Sequence, residues 1–224
     1  MNESEKYMSK HFTQEMEGMK STLRQMIELV DQQVAAAVEA LQTGNVELCR
    51  VIKERDKQTD AYENLIQVQC ENIFALFQPV AVDLRVIITS LKISTQLERC
   101  GDIAVNIANR TRKTIDHHDL VLASQVVEMA KQAHNMLQQA IAAFTNLDDA
   151  LARHVLTLDD EVDGLNKSIF KQLVETMKAD PERIEACAHL IVLCKQLERL
   201  ADHATNIAED VIFLKQARIV AHQK

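Results

Sequence analysis

Apolar residues return every three or four positions along almost the whole chain, the period of a helix with one buried face. One such stripe runs Ile93, Leu97, Cys100, Ala104, Ile107, and it recurs as Leu193, Leu197, Leu200, Ala204, Ile207, extended by Val211 and Leu214. Another runs Val155, Leu158, Val162, Leu165, Ile169. Five interruptions divide the pattern: Thr43-Gly44-Asn45, Gln78-Pro79-Val80, a polar stretch from Ile115 to Asp119, Thr145 to Asp148, and Asp180-Pro181. Pro79 disfavours right-handed helix in the residue before it and cannot donate to the preceding turn. Asp180 followed by Pro181 suits an N-cap and a first helical position. Six helices of about 25 to 40 residues joined by short turns pack antiparallel to their sequence neighbours. The expected fold class is therefore all-α, a six-helix bundle. Only four Gly and two Pro in 224 residues argue against the turn-rich sandwich, barrel and doubly wound alternatives.

The two halves carry one pattern written twice. Gln96-Leu97-Glu98-Arg99 recurs as Gln196-Leu197-Glu198-Arg199, and at the same offset of 100 Asp102 matches Asp202 and Asn106-Ile107-Ala108 matches Asn206-Ile207-Ala208. Upstream of the Pro turn the offset becomes 103, where Asp56 and Asp60 match Asp159 and Asp163, and Met26 matches Met129. The expected organisation is two tandem three-helix repeats, residues 1–115 and 116–224, from an internal duplication.

In each half an Asp-x-x-x-Asp lies on one helix and a Glu-x-x-x-Asp on its antiparallel neighbour. At 100° per residue, Glu98, Asp102 and Asn106 fall opposite the apolar seam and face outward, while Asp159 and Asp163 fall on the flank of theirs. Like charges one turn apart destabilise a helix by about 0.2–0.5 kcal/mol per pair. Acids converging from two helices would repel further, and a hard cation bound by their oxygens would offset that cost. The sharp reading is one acidic metal site per half, for Fe, Mn, Zn or Mg. The bland reading is a solvated acidic face neutralised by Lys57, Arg99, Lys195 and Arg199 at helical spacing. A di-iron carboxylate enzyme needs Glu-x-x-His motifs directed inward, and here Gly101 and Ala201 stand three residues after Glu98 and Glu198. His203 is expected to meet solvent or a neighbouring helix. No phosphate loop, nucleophile elbow or dinucleotide fingerprint is present.

A formal charge of −8 without a basic stripe argues against nucleic acid as a partner. The polar N-terminus and the lack of a long apolar run predict neither a secretory signal nor membrane insertion, hence a cytoplasmic location. Five Cys with no Cys-x-x-Cys pair read as small buried hydrophobes.

The segment Gln78-Pro79-Val80-Ala81-Val82-Asp83-Leu84-Arg85, together with the two Leu-Glu-Arg-x-x-Asp motifs and their Asn-Ile-Ala continuations, resembles the PhoU family. These are regulators associated with the bacterial phosphate-specific ABC transporter, and the match runs from about residue 10 to 216. The resemblance implies a non-enzymatic regulator that restrains phosphate uptake and helps silence the phosphate-starvation response. Its implied partners are the transporter's ATP-binding subunit and the phosphate-sensing histidine kinase. By the same resemblance, metal ligands map to Asp56, Asp60, Glu98 and Asp102, and to Asp159, Asp163, Glu198 and Asp202, with Asn106 and Asn206 as helpers. Cys100, and Leu200-Ala201 in the second copy, depart from the usual Glu-Arg-Ile-Gly-Asp, and Ala201 bears on how closely another backbone approaches. Asp83 and Arg85 have two readings, a partner contact or a helix cap with a local ion pair. A symmetric homodimer is expected of a helical surface this size.

Overall fold

The computed structural model describes residues 3–216, with side chains described from Lys10 onward except Ala81. Within them, α1 (Glu3–Thr43), α2 (Val46–Phe77) and α3 (Ala81–Lys113) form the first half. A short α4 (His118–Ala123) leads to α5 (Val126–Asn146), α6 (Asp149–Ala179) and α7 (Ile184–Gln216). The fold is a helical bundle of two tandem three-helix repeats.

Local chemistry sets the turns. Gly44 closes α1 with φ 71°, a left-handed conformation that costs glycine little. A Cβ there would also come within 3.1 Å of Ile115. Asn45 caps α2 by accepting from the backbone N–H groups of Glu47 and Leu48. Asp148 caps α6 in the same way, accepting from Ala150 and Leu151. Before Pro79, Gln78 takes the left-handed region (φ 47°), which ends α2 while still avoiding the right-handed geometry that proline disfavours. Asp180 accepts from the Glu182 N–H, and Pro181–Arg183 makes one 3-10 turn before α7 begins.

Two expectations need correction. The break near Ile115 is longer than a turn: a 3-10 turn, α4 and a left-handed Gln125 intervene before α5. Leu120 and Val121 are buried there, and the His118 ring N–H donates to the Leu41 carbonyl at 3.1 Å. The connection is thus pinned over the end of α1, which leaves α5 with only 21 residues. In addition, the cap of α3 is Val80, without a side-chain hydrogen bond, so Asp83 does not cap the helix. Asp83 lies in the first turn, where its charge suits the helix dipole. The buried Nε of Arg85 finds no hydrogen-bond partner among the described residues.

Within each half the three long helices pack on one another, and the halves join through α3 against α7 and α1 against α5. The α3 seam and the α7 seam as far as Val211 are buried, Leu97, Cys100, Leu197 and Leu200 completely, while Leu214 is half-buried. All five cysteines are buried free thiols. The duplication becomes a pseudo-twofold relation in space. Asn106 donates to Gln196 at 3.5 Å and Asn206 to Gln96 at 3.4 Å, the same pair written in both directions. Asp31 and His134, equivalent by the offset of 103, meet each other at 2.8 Å between α1 and α5. Because Leu197 is fully buried in the helix that joins the halves, Leu197→Ala is expected to cost about 2–5 kcal/mol in urea unfolding; a loss well below that range would contradict this packing.

Candidate metal site

In the first half Asp56, Asp60 and Glu63 lie on one face of α2 at spacings of four and three, and the antiparallel α3 brings Glu98 and Asp102 alongside. Thr95 of α3 donates to Glu63 across the same groove at 2.9 Å. Glu63 is a member that the search for paired acids one turn apart missed; its position three residues after Asp60 was the available signal. These carboxylates repel one another. Burial, and then the charges of Asp102, Glu63 and Asp60, push the Glu98 carboxyl up to about 7 against the opposing pull of Arg99. Burial, Asp102 and Asp60 likewise raise Asp56, and a hydrogen bond from Gln33 opposes them.

Gln33 is the support behind this face. It is fully buried, donates to the carbonyls of Ile52 and Gly101 at 3.3 and 3.5 Å, and accepts from the Thr59 hydroxyl at 3.1 Å. One carboxamide therefore ties α1, α2 and α3 together where the acids emerge. Gly101 makes room for it: a Cβ there would lie 3.2 Å from the Thr59 methyl and 3.5 Å from the Gln33 oxygen.

The second half keeps the acids and loses their surroundings. Met136, Val162 and Ala201 occupy the positions of Gln33, Thr59 and Gly101, all completely buried. Asn166 replaces Glu63 and donates to Glu198 at 2.8 Å, while Lys195 holds the other Glu198 oxygen at 2.7 Å. Asp159 was expected on an exposed flank but is buried, 3% exposed. It follows Val155 by four residues and precedes Val162 by three, so it lies within the buried seam and not beside it. Asp163 and Asp202 are half-buried.

Asp102 and Asn106 face outward as expected, and Asn206 does too, but Glu98, expected to face outward with them, is half-buried between α2 and α3. Asn106 and Asn206 are engaged across the α3/α7 junction with Gln196 and Gln96. A groove of about 440 Å³ runs over that junction, and Glu98, Arg99 and Asp102 face Arg199 and His203 across it. His203 bonds to Gln96 of the neighbouring α3 at 2.7 Å; burial, and then Arg99, lower its pKa to about 4, so it is neutral at pH 7. Among the described residues, no group of three or more His, Cys, Asp or Glu side chains is already assembled around a point where a metal would sit. The donor set of the first half nevertheless fits a hard cation, being all oxygen and short of compensating charge.

The chain matches the PhoU domain family twice, over residues 23–111 and 126–211. It is 35% identical over 205 residues to a protein of Caulobacter vibrioides named phosphate-specific transport system accessory protein PhoU homolog, covering 91% of this chain and 89% of that one. A Pseudomonas aeruginosa protein of the same name is 36% identical over 217 residues, covering 96% and 90%. The crystal structure of PhoU from Pseudomonas aeruginosa aligns with a TM-score of 0.86 at 35% identity, over 92% of this chain and all of that one. A Streptococcus pneumoniae phosphate transport system regulatory protein PhoU, 24% identical, shares the fold with a TM-score of 0.81 over 94% of this chain and 99% of that one.

The raised Glu98 pKa sets the sign of a pH effect. The folded chain holds the Glu98 proton more tightly than the unfolded chain, whose group titrates near 4.5. Ionising it therefore destabilises the fold progressively as pH rises from that value to about 7, and by a constant amount above. In metal-stripped protein, Glu98→Gln should raise the melting temperature at pH 8, with the advantage fading toward pH 4.5. Glu198→Gln, which loses the Lys195 ion pair, should bring no such gain. An advantage for Glu98→Gln that is independent of pH would contradict the assignment.

Proposed function

Since the chain belongs to the PhoU family, matched over both halves and along nearly its full length, we propose that it restrains phosphate uptake and silences phosphate-starvation signalling in the cytoplasm. In this reading it is a metal-binding adaptor between the ATP-binding subunit of a phosphate ABC transporter and a phosphate-sensing histidine kinase, and it works as a homodimer. An accessory role in phosphate transport, without enzymatic activity, accords with the names of its relatives. Among the described residues no helix is long and apolar enough to cross a membrane, so any action on a transporter is exerted from outside the bilayer.

The observation that carries the metal part is the repulsion among Asp56, Asp60, Glu63, Glu98 and Asp102 on the facing sides of α2 and α3. Asp56, Asp60, Glu98 and Asp102 would hold the ion, with Glu63 at the edge of the groove; a bound cation would supply the positive charge these side chains lack. Asp159, Asp163, Glu198 and Asp202 are the equivalent set. It is the weaker of the two, because Glu198 is already satisfied by Lys195 and Asn166 and Asp159 is buried. Asn106 and Asn206 donate their N–H groups to Gln196 and Gln96, so any assistance to an ion would come from their amide oxygens. Asp83 and Arg85, at the start of α3, are the proposed partner contact.

Calorimetric titration of chelator-stripped protein with Mn, Fe, Zn and Mg tests the metal reading. Binding at pH 7 should release about half a proton per site, because Glu98 is about half protonated there and a ligand must ionise to bind. Asp60→Asn with Asp102→Asn should weaken binding more than Asp163→Asn with Asp202→Asn. No stoichiometric metal, together with unchanged melting in all four ions, would favour a metal-free scaffold and defeat this part. A strain deleted for the chain should express phosphate-scavenging genes in rich phosphate; normal repression there would defeat the regulatory part.

A further inference from the structure

Two further grooves, each about 460 Å³, lie along α3, and Asn106, Asn109 and Arg110 of one are the counterparts of Asn206, Glu209 and Asp210 of the other. One holds Lys92, Gln96, Asn206, Glu209 and Asp210 in its wall. The other is lined by Asn106, Asn109, Arg110, Arg112 and Lys113. The charge differs at each equivalent position and reverses at one: Asp210 answers Arg110, Glu209 answers the neutral Asn109, and the neutral Ile212 and Phe213 answer Arg112 and Lys113.

The acidic groove brings its own counter-charge, since Lys92 of α3 reaches Asp210 of α7 at 2.6 Å. In the basic groove the residue equivalent to Lys92 is Val192, and Arg110 has no carboxylate in that place. Arg110 instead donates to His189 at 2.9 Å. Burial, and then Arg110 and Lys113, lower the His189 pKa while Glu185 opposes them. A neutral imidazole can fix the guanidinium without cancelling its charge. Among the described residues, neither Arg112 nor Lys113 takes part in an ion pair. Three cations and two carboxamides therefore line one groove in a chain of net charge −8. Basic residues also suit the last turn of a helix, but that accounts for neither the missing counter-charge across the groove nor Asn106 and Asn109.

From Asn106 to Lys113 the helix rises about 10 Å, further than one phosphate group can bridge, and the groove volume falls within the range of about 300–1,000 Å³ for small-molecule sites. We propose that the groove along the C-terminal half of α3 binds a small oligophosphate anion, with Arg110, Arg112 and Lys113 pairing its charges and Asn106 and Asn109 donating to its oxygens. The site borders the groove that holds Glu98 and Asp102, with Asn106 lining both, and does not depend on a metal there.

Calorimetry of the metal-stripped full chain at about 0.15 M salt, where long-range attraction is screened, tests the proposal with sodium tripolyphosphate, ATP and orthophosphate as probes. Saturable binding of tripolyphosphate at one per chain is expected. It should weaken about tenfold or more in Arg112→Gln/Lys113→Gln, given the strength of charge-assisted hydrogen bonds, and also in Asn109→Glu, which copies the residue of the acidic groove. The exposed Lys171→Gln, on α6, should leave it unchanged. Equal binding of ATP assigns recognition to the phosphate chain and supports the site; binding of ATP alone, with tripolyphosphate unbound, would overturn it in favour of a nucleotide base. Absence of saturable binding to either, orthophosphate bound as tightly as tripolyphosphate, or equal weakening by Lys171→Gln would overturn it.

Discussion

Antiparallel packing of α2 on α3 forces like charges into one groove, and this constraint organises the first half. Nothing in the hydrophobic effect asks for it: the seams of α2 and α3 bury well whatever stands on the facing edges. The acids are placed there by helical spacing and carry a cost, visible as the Glu98 carboxyl raised to about 7. A buried carboxamide, Gln33, bonded to two helices and to Thr59, holds that arrangement against its own repulsion.

Duplication supplied two copies of this device, and they have diverged in a physically consistent way. Where Glu63 became Asn166, repulsion became a hydrogen bond to Glu198. Where Gln33, Thr59 and Gly101 became Met136, Val162 and Ala201, a polar backing became dry packing. In the proposed reading the first half takes the cation and the second is a structural copy. The same divergence, applied across the α3/α7 junction, left one groove with its own ion pair and the other with unanswered positive charge.

The seams were legible because the period of apolar residues is a direct consequence of helix geometry, and Ile93 through Ile107 and Leu193 through Val211 are buried as their spacing required. The paired acids were legible because they repeat. Asp159 was misjudged since periodicity alone does not say how wide a buried stripe is, and a residue one position beyond Leu158 fell inside it. The α4 segment left little trace, being only six residues long, too short for a period to declare itself. Gln33 was invisible, because a glutamine amid apolar positions gives no hint of which carbonyls it will meet on two other helices. The charge reversal between Arg110 and Asp210 gained meaning only once α3 and α7 were seen to lie side by side, with Val192 where a partner for Arg110 would stand.

The central claim is that the facing acids of α2 and α3 grip an ion. Anomalous diffraction from crystals of protein grown with manganese or iron tests it most directly. The account predicts a metal peak between Asp56, Asp60, Glu98 and Asp102, stronger than any at the equivalent position in the second half. Density free of metal there, or a peak confined to the Glu198 side, would contradict it.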